Sequence, residues 1–200
     1  MLDLTPVTLE KKHARLEPLS VGHAPMLASA ARHAEIWEHT RAPLDDDASV
    51  RRAIDDALAE QARGAGLPFA IVETSSGDAV GMTRYFDVQH EHRGLEIGWT
   101  WLTPRVWRTA VNTECKYLLL RHAFERLGAI RVQLKTSDEN ARSRRAIERI
   151  GARLEGIVRK HLVLPSGKVR SSALYSIVDD EWPAVKVALE EKMSAVPVKA

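Results

Sequence analysis

Five stretches of the chain either alternate between apolar and polar residues or form short apolar runs bounded by turn residues, and both patterns predict β-strands. They cover residues 13–19, 68–72, 79–89, 95–102 and 130–136. The second, third and fourth of these strands are joined by short turns at 75–78 and 90–94. Because strands joined by short turns run antiparallel, these three are expected to form an antiparallel unit.

Helical periodicity lies between and after these strands. The predicted helices cover 24–34, a segment from the acidic residues 45–47 through Arg63, a segment beginning near Asn112, a segment after Asp138, and a last one that carries Trp182 and Leu189. The acids at 45–47 are interpreted as helix-start charges and not as metal ligands. A hairpin of 153–164 and 169–178, turning at 165–168, is predicted before the last helix, and the chain from Val196 onward is expected to be frayed.

The fourth strand leads through a short loop into the third helix. The first N–H groups of a helix have no partner within it, so such a start can hold an anion, and Arg105 and Arg108 add charge on the approach. An ordinary strand–loop–helix connection explains the same pattern. The helix has one narrow polar stripe, formed by Glu114, Arg121 and Glu125, and is therefore expected to be buried and central.

Glu96 stands in the middle of the apolar fourth strand, where it shares a predicted face with Gly98 and Thr100. The opposite face carries Leu95, Ile97, Trp99 and Trp101. A carboxylate at such a position is either exposed to solvent or paired with a cation, or it acts as a general base or a substrate-orienting acid. The alternation of the strand leaves these interpretations open.

Ser143 lies on the inward stripe of the fourth helix together with Ala146, Ile147 and Ile150, because these positions recur at helical spacing. Gly151 is expected to end that helix. A serine on an inward stripe is either bonded back to a carbonyl one turn earlier or is a donor in a cleft.

The composition is that of an ordinary globular protein, since 44% of the 200 residues are hydrophobic and 28% are charged. One domain over residues 1–200, with a core from about 7 to 193, is the simplest organisation. The net charge of +2 argues against a nucleic-acid partner. Cys115 is the only cysteine, which excludes an intramolecular disulfide and fits a reducing compartment.

No apolar run of about 18 residues and no signal-like start is found, so a cytoplasmic protein without membrane contact is expected. His33 and His39 lack matching carboxylate spacing and are interpreted as surface or packing residues, and no bound metal is expected. The sequence leaves the oligomeric state open, and a homodimer is one candidate.

Four segments together resemble the GNAT N-acetyltransferases, and most closely their RimJ/RimL-like branch. They are Glu96-Ile97-Gly98-Trp99-Thr100, the loop 105–110 with 111–114, the run 138–143, and 147–152. The order of predicted elements agrees over nearly the whole chain. The resemblance implies an α+β protein of the GNAT fold, with a central, mostly antiparallel mixed sheet of about seven strands flanked by helices.

The resemblance also implies that acetyl-CoA is the cosubstrate. The family's phosphate loop falls on Arg105, Arg108 and Ala110, with Arg108 where the family has glycine. An arginine carries a Cβ and a long cation, so it either tolerates the loop conformation or weakens coenzyme binding. The coenzyme-binding residues implied in this way are Arg105, Arg108, Thr109, Ala110, Val111, Asn112, Thr113, Asn140 and Arg145.

The family position that often carries a catalytic tyrosine is Ile147 here. The Rim-like branch uses a serine one turn earlier, which matches Ser143, and Glu96 matches the base. The implied function is acetyl transfer to a protein N-terminal α-amine or a small-molecule amine, with Trp37 and Tyr85 as candidate acceptor-lining residues. A coenzyme-binding sensor or interaction module without turnover is the alternative, and Arg108 is the residue that keeps it open.

Overall fold

A computed structural model describes residues 2–40, 43–164 and 166–195 of the chain. In the described residues eight strands form one mixed sheet. The strands are β1 (Leu9–Glu10), β2 (Ala14–Pro18), β3 (Leu67–Glu73), β4 (Ala79–Gln89), β5 (Gly94–Leu102), β6 (Arg131–Ser137), β7 (Arg153–Val163) and β8 (Val169–Val178). The helices are α1 (Ala24–Ala31), α2 (Asp47–Ala62), α3 (Ala110–Arg121), α4 (Ala141–Arg149) and α5 (Trp182–Ser194). The predicted α+β fold is confirmed, and the extra strand is the two-residue β1 at the sheet edge.

The strands follow the order β1-β2-β3-β4-β5-β6-β8-β7, and the predicted antiparallel unit of β3, β4 and β5 is confirmed. Only β5 and β6 are parallel, and they pair through three positions that end at Glu96 opposite Gln133. Beyond that point β5 continues to Leu102 and β6 to Ser137 without pairing to each other. The two strands therefore diverge, and the sheet opens between them.

Two apolar cores cover the two faces of the sheet. On one face α3 and α5 pack on Ile97, Val132 and Tyr85. Leu118 and Leu119 of α3 are fully buried in this core, so the predicted central helix is confirmed. On the other face α1 and α2 pack on a smaller core that includes Met82 and Trp101. The opening between β5 and β6 therefore has a helical layer on each side.

Two helix starts differ in how well the sequence predicted them. Asp46 caps α2 and its carboxylate accepts a hydrogen bond from the Ser49 N–H at 2.5 Å, so the helix-start interpretation of the acids is confirmed. Helix α3 begins at Ala110, two residues earlier than predicted, because the Thr109 hydroxyl accepts the Val111 N–H and serves as the cap.

Glu114 was assigned to the polar stripe of α3, and that assignment is wrong. Its side chain is buried, and Oε2 accepts the N–H groups of His13 at 2.6 Å and Ala14 at 3.0 Å. His13 directly precedes β2, and Ala14 is its first residue. The carboxylate thus satisfies backbone donors that the short edge strand leaves open, which is a tertiary role that helix periodicity does not reveal.

Strand β5 contains a β-bulge at Trp99. Gly98 lies opposite Arg84 and Trp101 lies opposite Met82, so β5 has one residue more than β4 over the same length. Trp99 has φ of +50°, a left-handed conformation that is uncommon for a bulky residue. Its side chain is 54% exposed.

The bulge reverses the alternation of β5. Ile97 belongs to the α3 core, whereas Trp101 belongs to the α1–α2 core. Thr100 is turned to the α3 side, where its hydroxyl accepts a hydrogen bond from Lys116 of α3. The prediction that Glu96 and Thr100 share a face is therefore wrong, because a strict period of two holds only for an unbulged strand.

Some predictions fall on residues outside the described part of the chain. These are Met1 and residues 41–42 of the predicted single domain, residue 165 of the terminal turn, and the segment from 196 onward. In the described residues, no helix is both long and apolar enough to span a membrane.

Candidate active site

Glu96 stands at the last paired position before β5 and β6 diverge. Its side chain is buried, with the residue 2% exposed. Carboxylate Oε2 accepts hydrogen bonds from Gln133 Nε2 at 2.7 Å and from Lys135 Nζ at 3.0 Å. Glu96 is thus paired with a cation and is not exposed to solvent, and its role as a base remains a prediction. Both contacts use Oε2, and within the described chain Oε1 takes part in neither.

The loop before α3 adopts a glycine-like backbone at Arg108, where φ is +62°. L-residues with a Cβ rarely adopt this conformation, and it costs roughly 1–2 kcal/mol. The side chain of Arg108 is exposed. Arg108 therefore adopts a backbone conformation that glycine adopts more readily. Coenzyme binding by this loop remains a prediction.

Arg105 is paired with acidic side chains at the turn between β3 and β4. Its guanidinium forms ion pairs with Glu73 and, at 2.9 Å, with Asp78, at the turn between β3 and β4. The pairs tie the loop to that turn and fix its path towards α3. A side-chain contact of Arg105 with a coenzyme remains a prediction.

Helix α4 starts at the carboxyl end of β6. Asn140 is the cap, and its Oδ1 accepts the Ser143 N–H at 2.9 Å. Ser143 is half-buried, and its hydroxyl has no hydrogen-bond partner in the part of the chain that the structure describes. The bond back to an earlier carbonyl, which was one interpretation of this serine, is therefore not formed. Ile147, one turn further, is buried in the α3 core.

Two arginines of α4 contact residues at the start of α3, and a third lies between them at helical spacing. The Arg142 guanidinium lies 4.0 Å from the centre of the Trp107 ring, and Arg149 donates to the Thr113 hydroxyl at 3.2 Å. Arg145 lies on the same stripe between them and is exposed. The first turn of α3 thus lies beside the arginine-bearing side of α4. The N–H groups of that turn include those of Ala110 and Asn112.

The sequence did not reveal the role of Lys116, a buried lysine of α3 that contacts β5 just beyond the bulge. Lys116 Nζ donates to the Thr100 hydroxyl at 2.7 Å, and that hydroxyl lies 2.8 Å from the Thr83 hydroxyl. Burial lowers the pKa of the Lys116 ammonium, and the neighbouring Cys115 raises it to a smaller extent. These hydrogen bonds hold Thr100, the residue that follows the bulge, against α3 and β4. A single lysine among apolar helix residues gave no signal of this role.

Arg84 was also missed. It lies on the α2 side of the sheet, 7% exposed, and Nη1 pairs with Glu60 at 3.0 Å. Its guanidinium stacks on the Trp99 ring at 4.2 Å. Burial lowers the pKa of Arg84, while Glu60 and Asp56 raise it again. An arginine in an alternating strand is ordinarily a solvent-facing residue, so the sequence did not single it out.

Tyr85 does not line the acceptor side as predicted. It is fully buried in the α3 core, and its hydroxyl donates to the Leu119 carbonyl at 2.6 Å. Trp37 lies on the other face of the sheet, where its ring is 5.4 Å from that of Trp101. In the described residues no group of three or more histidine, cysteine, aspartate or glutamate side chains could hold a metal ion.

Comparisons with known proteins identify the family. Residues 13–153 match the acetyltransferase (GNAT) domain. A GCN5-related N-acetyltransferase from Brucella melitensis is 30% identical, with a TM-score of 0.89 over 96% of this chain and 87% of that chain. A protein of T. thermophilus assigned to the acetyltransferases is 36% identical, with a TM-score of 0.83 over 94% of this chain and 97% of that one.

The fold is shared with a RimJ protein as well. Mycobacterium smegmatis RimJ, in complex with CoA-disulfide, is 24% identical and has a TM-score of 0.82 over 96% of this chain and 97% of that chain. At this identity the likeness concerns the fold alone. The family match over most of the chain and the relatives at 30% identity or more lead to one conclusion: this chain belongs to the GNAT acetyltransferase family.

Proposed function

We propose that this protein is an N-acetyltransferase that moves the acetyl group of acetyl-CoA directly to an amine, either a protein N-terminal α-amine or a small-molecule amine. The observation that carries the proposal is the divergence of β5 and β6 after Glu96. Because these two strands are parallel, the helices that follow them, α3 and α4, both start at the same end of the opening. The helix start of α3 and the Ser143 hydroxyl, which has no partner among the described residues, thereby lie at the open end, and the Glu96 carboxylate lies at the closed end of the same opening.

The pyrophosphate of the coenzyme would be held by the backbone N–H groups of Arg108 to Asn112. This part of the proposal is supported by the left-handed backbone at Arg108 and by the helix dipole of α3. Arg108 and Arg145 are exposed cations beside that start, and Arg149 bonds to Thr113 there. Asn140, at the cap of α4, would lie along the pantetheine arm.

The chemistry asks for a neutral amine, a polarised carbonyl and a proton for the leaving thiolate. Glu96 would take the amine proton, directly or through water, while Gln133 and Lys135 hold its other oxygen in place. The amine nitrogen then bonds to the acetyl carbon and loses its surplus proton to Glu96 or to water as the carbon–sulfur bond breaks. Ser143 donates its hydroxyl proton to the sulfur and regains a proton from solvent. Thioester-bound acetyl supplies the activated carbon, and no metal is needed for any of these steps.

A cytoplasmic location is part of the proposal, and the single buried Cys115 and the absence of a spanning helix in the described residues are compatible with it. The alternative, a coenzyme-binding sensor without turnover, rested on Arg108 in place of glycine. The positive φ of Arg108, a conformation that glycine favours, is compatible with a phosphate-binding loop and therefore supports the transferase over the sensor.

The test is a screen of peptide N-termini and small amines for release of free coenzyme A thiol, followed by the variants Ser143→Ala and Glu96→Gln. Ser143→Ala should lower kcat about 30- to 100-fold with unchanged coenzyme affinity, because the charge that it stabilises exists only as the thiolate forms. Ser194→Ala, an exposed serine on α5, is the matched control and should have no effect.

Two results would change the account. A folded Ser143→Ala protein that keeps more than about half of its kcat would reduce this serine to packing, and water or the acceptor would be the proton source. Tight acetyl-CoA binding without acetylation of any amine in the screen would favour the sensor.

A further inference from the structure

Arg84 has a feature that the proposed acetyl transfer does not use. Only Nη1 of its guanidinium is engaged by a carboxylate, that of Glu60. Nε is buried and has no hydrogen-bond partner among the described residues. Nε and Nη2 form the edge of the guanidinium that binds a carboxylate through two parallel hydrogen bonds. The Nε donor of that edge is therefore left without an acceptor among the described residues.

The register of β4 and β5 places Arg84 near Glu96 on the same face of the sheet. Phe86 lies opposite Glu96 in the register of β4 and β5, and Arg84 lies opposite Gly98, two residues further on the same face. Two residues along a strand span roughly 7 Å. The guanidinium also stacks on Trp99, the exposed residue of the bulge. Arg84 thus lies beside the place where the acceptor amine would meet Glu96.

Charges on this face of the sheet balance each other. Arg84 is paired with Glu60, and Lys135 with Glu96. An acceptor with only an ammonium group, or with only a carboxylate, would disturb that balance in a poorly hydrated region. A molecule that carries both groups, separated by several bonds, would match Glu96 with its amine and Arg84 with its carboxylate.

We infer that Arg84 is a specificity-determining residue that binds a carboxylate of the acceptor, and that the acceptor class is an amine with an acidic group several bonds away. This inference rests on the proposed function, since it assigns the substrate class of the same site. The acid is either the side chain of a free amino acid such as glutamate or an acidic side chain at the second position of a peptide N-terminus. Both offer the same chemistry to the guanidinium.

The experiment measures binding by calorimetry on the protein saturated with coenzyme A, so that no turnover is required. The probes are glutamate against glutamine, and a peptide amide beginning Ala-Glu against one beginning Ala-Gln. The acid of one pair should bind at least about tenfold more tightly than its amide, because the amide cannot accept two charge-assisted hydrogen bonds. The pair in which this occurs distinguishes a free amino acid from a peptide N-terminus.

The variants separate recognition from folding. Arg84→Met keeps an apolar stem against Trp99 and should reduce the preference to less than about twofold, while Arg84→Lys, which keeps the charge without the planar fork, should retain part of it. Stabilisation by coenzyme A should equal that of the wild type in both variants. If Arg84→Met does not fold, Glu60→Gln serves instead, and it should increase the preference for the acid because it releases Nη1.

Equal binding of acid and amide in both pairs, or no binding of either acid, would overturn the inference. Water would then be the partner of the Nε–Nη2 edge of Arg84. The proposed function fails separately. Acid preference without acetyl transfer from acetyl-CoA would contradict the transferase and support the Arg84 site. Acetyl transfer to amines without acid preference would support the transferase and contradict the Arg84 site.

Discussion

Arg108 illustrates what a single residue in a left-handed conformation means for a binding loop. The sequence located it at the phosphate loop and identified the missing glycine, but the sequence alone could not give the sign of φ. The structure gives +62°, so the backbone of Arg108 lies in the region that glycine favours, and the exposed side chain adds a cation. The backbone strain and the charge of Arg108 are two separate effects, and two substitutions separate them.

Arg108→Ala and Arg108→Gly both remove the charge, and only the glycine variant removes the Cβ strain. Both should therefore weaken acetyl-CoA binding by a similar factor, about three- to tenfold, and flatten its dependence on salt. Titration calorimetry at two ionic strengths measures this. If Arg108→Gly instead binds several times more tightly than the wild type, the side chain is an obstruction, and the sensor alternative regains support.

At the scale of the elements, the sequence predicted most strands and helices because their hydrophobic periods are long and regular. The sequence-based predictions failed where a strand contains one extra residue or where a polar side chain is buried. The bulge at Trp99 reverses the faces of β5, and no pattern of apolar residues encodes that insertion. Glu114 and Lys116 of α3 are buried because distant backbone and hydroxyl groups bind them. Such partners come from elements far away in the sequence.

Lys116 supplies a pH test of this part of the fold. Burial lowers the pKa of its ammonium in the folded protein, so the folded state binds fewer protons than the unfolded chain. The resulting penalty is fully present below the folded pKa and disappears as pH rises through the unfolded pKa of about 10.4. The free energy of unfolding of the wild type should therefore rise relative to Lys116→Met as pH increases from neutral towards 10.

Urea denaturation of both proteins at several pH values measures the difference. The buried thiol of Cys115, whose pKa burial raises to about 11, is present in both proteins, so its own contribution largely cancels in the comparison. Arg121→Met, which replaces a cation at the end of the same helix, is the control. A difference between wild type and Lys116→Met that stays constant with pH would show that Lys116 carries no titration penalty.

At the scale of the whole molecule, the order of elements and four motif segments together predicted the family, and the match over residues 13–153 confirms it. The candidate site was predicted in part. Glu96, Ser143 and the loop before α3 were predicted because they lie in motifs, and their roles remain predictions. Arg84 was not predicted, since its proposed role depends on the register between β4 and β5. The site exists only when β5, β6, α3 and α4 are assembled, so a ligand of the site should stabilise the entire domain.

The most direct test of this account is thermal unfolding with and without acetyl-CoA. At about 100 times the dissociation constant, a ligand that binds only the folded state adds about 2.7 kcal/mol to the free energy of unfolding. For a domain of 200 residues this raises the melting midpoint by several degrees. Pantetheine, which lacks the pyrophosphate, should give a much smaller rise. No change in the midpoint at millimolar acetyl-CoA would contradict both the transferase and the coenzyme-binding sensor.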